Sequence, residues 1–255
     1  MKLITGFFMA WGNFLTIPCP LKKWDNDLKN YMLGFLPAVG LIIGGLWTAS
    51  TIFLVWFGTP FLVMAFLMTF LLFAMCGFMH LDGFMDCSDA IMSRKPIEVK
   101  QQILKDSHCG AFSIVSVVFM LLGYYSFIAT ALGGAIDFVD LIIIPVLSRS
   151  VAGLFVINAK PIGHSQYAEG LGANDNSQKK KSSVLIVIQG LIACAVCLIL
   201  ASDIIPTLAV MGFSILGTLI AILYARKSLG GMSGDIAGFG IVWGELLGIF
   251  GMLIL

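Results

Sequence analysis

Seven long runs of mostly apolar residues dominate the chain, at about 31–57, 60–79, 111–133, 139–158, 183–200, 204–224 and 236–255. Each is long enough to cross a hydrocarbon core of roughly 30 Å as a helix. The pattern predicts an all-α fold, a polytopic transmembrane bundle of about seven spans. Met1–Pro20 is a further apolar stretch, short for a span and interrupted by Gly12, Pro18 and Pro20. No small-x-small cleavage site follows its Lys2, so it reads as a retained interfacial or re-entrant helix rather than a signal peptide.

The polar segments between the runs fall into two classes. The segments 58–59, 134–138 and 201–203 are short and carry no Lys or Arg. The segments 18–30, 80–110, 159–182 and 225–235 are longer and basic. Thirteen of the fifteen Lys and Arg residues lie in the second class, which occupies one alternating side of the bundle; Lys2 and Arg149 are the exceptions. The positive-inside rule makes that side cytoplasmic, so a seven-span chain is a multi-pass protein of the cytoplasmic (inner) membrane with its C-terminus outside.

Composition narrows the picture further. The chain has 255 residues, 59% hydrophobic and 11% charged, with a mean hydropathy of +0.99. A soluble domain carries about 25% charged residues, so a water-facing surface cannot be built here. The formal net charge of +1 lacks the concentrated basic face that nucleic acid requires. The six cysteines suggest no disulfide framework, and the Cys194-x-x-Cys197 pair lies inside an apolar run, where helix packing explains it better than redox chemistry.

Candidate chemistry collects in the basic segments. In His80-Leu-Asp82-Gly83-Phe-Met-Asp86-Cys-Ser-Asp89 the three aspartates stand at i, i+4 and i+7, one face of a helix. Three like charges on one face repel unless a cation sits among them, and carboxylate oxygens suit a hard divalent ion, Mg²⁺ or Mn²⁺. The outer pair is about 10 Å apart along a straight helix. Either two ions bind, or another segment completes the site. A solvated acidic loop after the second run is the plain alternative.

Three other segments are candidates. Lys105-Asp106-Ser107-His108 precedes the run 111–133: Asp106 is a further ligand candidate, Lys105 a phosphate contact and Ser107 an ordinary helix cap. Gly230-Gly231-Met232-Ser233-Gly234-Asp235 precedes the last run. Its glycines allow close approach to an anion at a helix N-terminus, with Asp235 holding the anion's metal. The mixed stretch 160–172, with His164, Tyr167 and Glu169, suggests an ordered loop over a pocket. Two single residues also stand out. Glu245 lies deep in the last run, where an acid is expensive; it is a candidate for function or for a structural pair with Arg149. His80, Cys87, His108 and Cys109 share a region but fit no zinc spacing.

Taken together, these residues resemble the cobalamin synthase family, the adenosylcobinamide-GDP ribazoletransferases. His80, Asp82, Gly83, Asp86 and Asp89 match its H-x-D-G-x-x-D-x-x-D. Lys105, Asp106, Ser107 and Gly110 match its K-D-S-R-x-G, and Gly230, Gly231, Ser233, Gly234 and Asp235 match its G-G-x-[ST]-G-D. Pro18-Cys19-Pro20 and the run from Gly34 through Pro37 to Gly40 are also typical. His108, Val242 and Tyr167-Ala168 depart from the pattern. The resemblance implies a single membrane transferase domain over 1–255. It implies transfer of the adenosylcobinamide-phosphate group from adenosylcobinamide-GDP to α-ribazole, or its 5′-phosphate, with GMP leaving and Mg²⁺ (or Mn²⁺) as cofactor. In that reading Asp82, Asp86, Asp89, Asp106 and Asp235 hold metal. Asp82, Asp86, Asp106, His80 and Lys105 serve catalysis, and Gly230, Gly231, Ser233 and Gly234 bind the diphosphate. The partners are the two substrates and the lipid bilayer, with no nucleic acid; a homo-oligomer stays open. Two rival readings are a CDP-alcohol phosphotransferase-like enzyme and an ion-coupled transporter.

Overall fold

The computed structural model describes residues 2–106, 108–134, 136–163 and 176–254. Among them are eleven α-helices: α1 (Lys2–Phe14), α2 (Lys29–Gly34), α3 (Leu36–Trp56), α4 (Phe61–Ala74), α5 (Met79–Met92), α6 (Ile97–Ile103), α7 (Ala111–Leu132), α8 (Phe138–Asn158), α9 (Asn176–Leu200), α10 (Ile204–Leu229) and α11 (Gly234–Gly251). Six of them, α3 and α7 to α11, are long and apolar enough to cross a membrane. α4 and α5 together would make a seventh crossing, but they meet at 86°. The chain is a polytopic helical bundle.

The bend corrects the expectation of one straight span over 60–79, whereas the acidic motif is helical, as its spacing predicts. Gly77 and Phe78 both take φ of +60°, which no α-helix continues through. The chain therefore turns, and the acidic motif starts a new helix, α5, that leaves the direction of α4. α5 is amphipathic, with Phe84, Cys87 and Ala90 buried and Asp82 exposed. Other boundaries shift too. The first run divides into α2 and α3 at Phe35. Lys179 to Lys181 fall in the first turns of α9, and Arg226 and Lys227 in the last turn of α10, rather than in loops. α1, at 13 residues, is too short to cross.

The loop classes separate in space as the charge pattern requires. At one end the Ser202 N–H donates to Asp137 Oδ2 at 2.6 Å, joining two non-basic loops. At the other end Lys100 Nζ donates to Ser228 Oγ at 2.9 Å and Gln101 Nε2 to the Leu229 carbonyl at 2.8 Å. α8 is the central helix, with 78% of its apolar stretch buried, whereas α9 is 17% buried and faces outward. Within lipid, close packing rather than hydrophobic exclusion holds helices together, so small residues set the contacts. Gly240, Gly244 and Gly248 of α11 form such a stripe. Cβ atoms there would run into Ile222, Thr218 and Ser214 of α10 and Ile144 of α8.

A candidate active site at the basic end

α5 and α11 approach each other through Gly83. A Cβ at this position would lie 2.8 Å from Asp235 Cα and 2.9 Å from its carbonyl oxygen. On the same interface Gly238 packs against the His80 backbone. The middle of the acidic motif is thus pressed onto the first turn of α11, although the two are far apart in sequence. Gly83→Ala is expected to force the helices apart at a cost of about 1–3 kcal/mol, with loss of turnover exceeding the loss of folded protein. Thermal unfolding measured beside turnover checks this, and unchanged activity would exclude the packing role.

The consequence is a crowded set of carboxylates. Burial pushes the carboxyl of Asp86 up to about 7, and the charges of Asp82, Asp235 and Asp89 push in the same direction. A divalent cation among these oxygens would reverse that effect, so the donor set fits a hard ion. Among the described residues no three His, Cys, Asp or Glu side chains enclose an ion by themselves. That suits Mg²⁺, which takes one or two carboxylates and completes its shell with water and substrate phosphate. It gives no support to zinc: Cys87 is fully buried, whereas the His108 side chain is 90% exposed.

Asp89 is engaged elsewhere. Its Oδ2 accepts from the Gly110 N–H at 2.6 Å and its Oδ1 from the Ser113 N–H at 3.1 Å. It supplies the N-terminal cap that α7 lacks from its own Gly110. Asp89→Ala is expected to destabilise the fold by about 1–2 kcal/mol, seen as a lower unfolding temperature. An unchanged temperature combined with weakened Mg²⁺ dependence would make Asp89 a ligand instead.

Other predicted residues sit apart from this set. Asp106 is exposed and bound to its neighbour: His108 donates its backbone N–H to Oδ1 at 3.0 Å, and the ring Nδ1 lies 2.6 Å from the same oxygen. Those bonds hold the Asp106 carboxyl below the usual range. Lys105 is exposed at the end of α6 and does not line the cavity described next. Ser107, and His164, Tyr167 and Glu169 of the loop expected over the pocket, lie outside the described residues.

The glycine-rich turn divides into two parts. Gly230 ends α10 with φ of +82°, a conformation that favours glycine. Gly231 leaves room for Ile162, and Met232 bridges to Pro161, its N–H donating to the Lys160 carbonyl at 2.9 Å. Gly230 and Gly231 therefore shape the turn. Ser233, Gly234 and Asp235 open onto a cavity of about 420 Å³. His80 and Asp82 line its polar end with them. Ser233 also caps α11, accepting from the Ile236 N–H at 3.3 Å.

Sequence reasoning missed the rest of this cavity. Asn13 and Phe14 of α1, Leu33, Leu36, Ala152 and Val156 also line it. They are scattered over four helices, and only Leu36 falls in a run that the resemblance singled out, so the linear chain does not mark them as one wall. α1 is a wall of the site, which its reading as an interfacial or re-entrant helix did not foretell.

Below the cavity lies a buried ion pair. Arg149 Nη1 donates to Glu245 Oε1 and, at 3.2 Å, to the Pro145 carbonyl. Its Nη2 reaches Cys76 Sγ at 3.2 Å and His80 Nδ1 at 3.4 Å. A guanidinium only donates, so His80 Nδ1 accepts and its Nε2 carries the ring proton. Glu245 and Arg149, held open as a structural pair, are thus partners.

The comparisons with known proteins agree with this geometry. An adenosylcobinamide-GDP ribazoletransferase of Clostridium perfringens (strain 13) is 36% identical over 94% of each chain. Its namesake in Clostridium botulinum (strain Alaska E43) is 31% identical over 98% of this chain and 97% of that one. That of Desulfitobacterium hafniense is 34% identical over 85% and 84%. No solved structure matches. The profile of the cobalamin-5-phosphate synthase family matches residues 6–253, from the α1 wall through both halves of the acidic cavity to the end of α11, and the chain belongs to that family.

Proposed function

We propose that the protein is an adenosylcobinamide-GDP ribazoletransferase acting in cobalamin biosynthesis. It joins adenosylcobinamide-GDP to α-ribazole, or its 5′-phosphate, giving adenosylcobalamin, or its phosphate, and GMP. The observation that carries this reading is the packing of Gly83 on Asp235, which brings two motifs of the family to one cavity.

The chemistry requires charge control. The ribazole hydroxyl forms a bond to the phosphorus next to the corrinoid, the bond to the bridging oxygen breaks, and GMP leaves with the electron pair. The diphosphate arrives with negative charge and the leaving phosphate gains more. Mg²⁺, or Mn²⁺ in its place, would be held by one or two carboxylates of the set Asp82, Asp86 and Asp235, with substrate phosphate and water completing its shell, and would neutralise that charge. The first turn of α11 directs its dipole toward the same phosphates, and its Ser233 and Gly234 line the cavity. Asp82, the exposed member of the set, is placed to accept the proton of the attacking hydroxyl. His80, kept neutral at Nδ1 by Arg149, is left as a hydrogen-bond donor beside it.

The one-sided distribution of Lys and Arg in the sequence supports a site on the cytoplasmic side of the inner membrane. Glu245, the acid that transport would need at depth, is already committed to Arg149. The test is incubation of purified protein with adenosylcobinamide-GDP, α-ribazole and Mg²⁺, with chromatography for cobalamin and GMP. The expected result is both products in equal amounts, lost on chelation and restored by Mg²⁺. Release of CMP from a CDP-alcohol, or solute uptake into proteoliposomes without product, would replace this reading.

A further inference from the structure

We infer that a recess beside α1, which carries Lys22 and Lys23, holds the phosphate of the departing GMP. This subsite rests on the transferase reading above. The acidic cavity takes the metal and the reacting phosphorus, and the lysine recess takes the nucleotide half of adenosylcobinamide-GDP.

The first argument is a missing charge. GMP leaves with the electron pair of the broken phosphorus–oxygen bond, so its phosphate gains a negative charge while the proton of the attacking hydroxyl goes to Asp82. Among the described residues no Lys or Arg lines the acidic cavity. A second recess, of about 470 Å³, lies against α1 and is lined by Lys22 and Lys23. Asn13 lines both cavities, so the two meet there. Both lysines are exposed, and among the described residues neither is paired with a carboxylate.

The second argument is how the recess is built. The chain after α1 doubles back along it. The Trp11 Nε1–H donates to the Ile17 carbonyl at 3.0 Å, and the Cys19 thiol to the Phe8 carbonyl at 3.4 Å. The same segment is tied to the bend ahead of α5. The Thr16 N–H donates to the Met75 carbonyl at 3.0 Å and its hydroxyl to the Ala74 carbonyl at 3.2 Å. Pro18 and Pro20 restrict the backbone just before the lysines. The lysines thus follow a braced segment, and what braces it is the turn from which the aspartate helix starts. The headgroup of an anionic lipid is the other source of a phosphate, because lysines at a membrane surface attract it too. The wall shared at Asn13 favours the nucleotide.

The experiment uses full-length protein in neutral detergent and, separately, in nanodiscs containing anionic lipid. GMP with Mg²⁺ and adenosylcobinamide-GDP are the probes. Lys22→Gln with Lys23→Gln removes both charges at exposed positions, so the protein folds. The double variant is expected to raise the Kd of GMP and the KM of the donor by roughly tenfold, leaving the KM for α-ribazole within about twofold. Added salt should weaken GMP binding to the unmodified protein more steeply than to the variant. Lys22→Arg with Lys23→Arg keeps the charges and should restore both constants to within about threefold. Unchanged constants, or an equal rise in the KM for α-ribazole, would overturn the subsite. So would a loss confined to the nanodiscs, which would give the lysines to the lipid headgroup. The transferase reading fails separately, by absence of cobalamin and GMP from the unmodified protein, whereas GMP binding still reports on the recess.

Discussion

Asp82→Asn and Asp235→Asn are each expected to lower turnover at saturating substrate by at least about a hundredfold, with the protein still folded. Both changes preserve shape and remove one negative charge from a set whose members act on each other through space. The remaining carboxylates then hold a divalent ion more weakly, so the Mg²⁺ concentration for half-maximal rate should rise as kcat falls. Stability should move the other way at the neighbouring position. The raised carboxyl of Asp86 means that the folded state takes up a proton more readily than the unfolded chain does. Its ionisation therefore destabilises the fold progressively as pH rises from the ordinary carboxylate range to about 7, and the penalty is complete above that. With divalent ions removed, Asp86→Asn should raise the unfolding temperature most above about pH 7 and by little near pH 4. Added Mg²⁺ should shrink the difference. Full Mg²⁺-dependent turnover in folded Asp82→Asn and Asp235→Asn would remove both residues from the reaction.

The second large effect belongs to the ion pair beneath the cavity. Arg149 and Glu245 are 1% and 2% exposed, and each single truncation strands a charge in the low-dielectric middle of the bundle. Glu245→Ala is expected to cost about 3–5 kcal/mol, because the guanidinium keeps only the Pro145 carbonyl, Ser148, Cys76 and His80 as partners. Arg149→Ala should cost a similar amount. The double variant Arg149→Met with Glu245→Gln removes both charges and should recover much of that loss. Activity should not recover with it. His80 loses the donor that fixes its Nδ1 as an acceptor, and its ring proton becomes free to sit on either nitrogen. Thermal unfolding of the two singles and the double, compared with their turnover, separates packing from positioning. Singles as stable as the unmodified protein would refute the energetic account. A double variant with full turnover would refute the positioning one.

The composition, the seven apolar runs and the one-sided basic loops were legible because transfer of a side chain into lipid depends on that residue and its immediate neighbours. The aspartate spacing in α5 and the Ser233-Gly234-Asp235 helix start were legible for the same local reason. The tertiary structure decided the rest. It turned the second run by 86° at Gly77 and Phe78, set Gly83 against Asp235, and joined Arg149 to Glu245 and His80. It also spent Asp89 on the start of α7, left Asp106 outside the cavity, and made a wall of α1. Those are contacts between helices remote in sequence. They depend on which small residues let two backbones approach, and no segment carries that information alone.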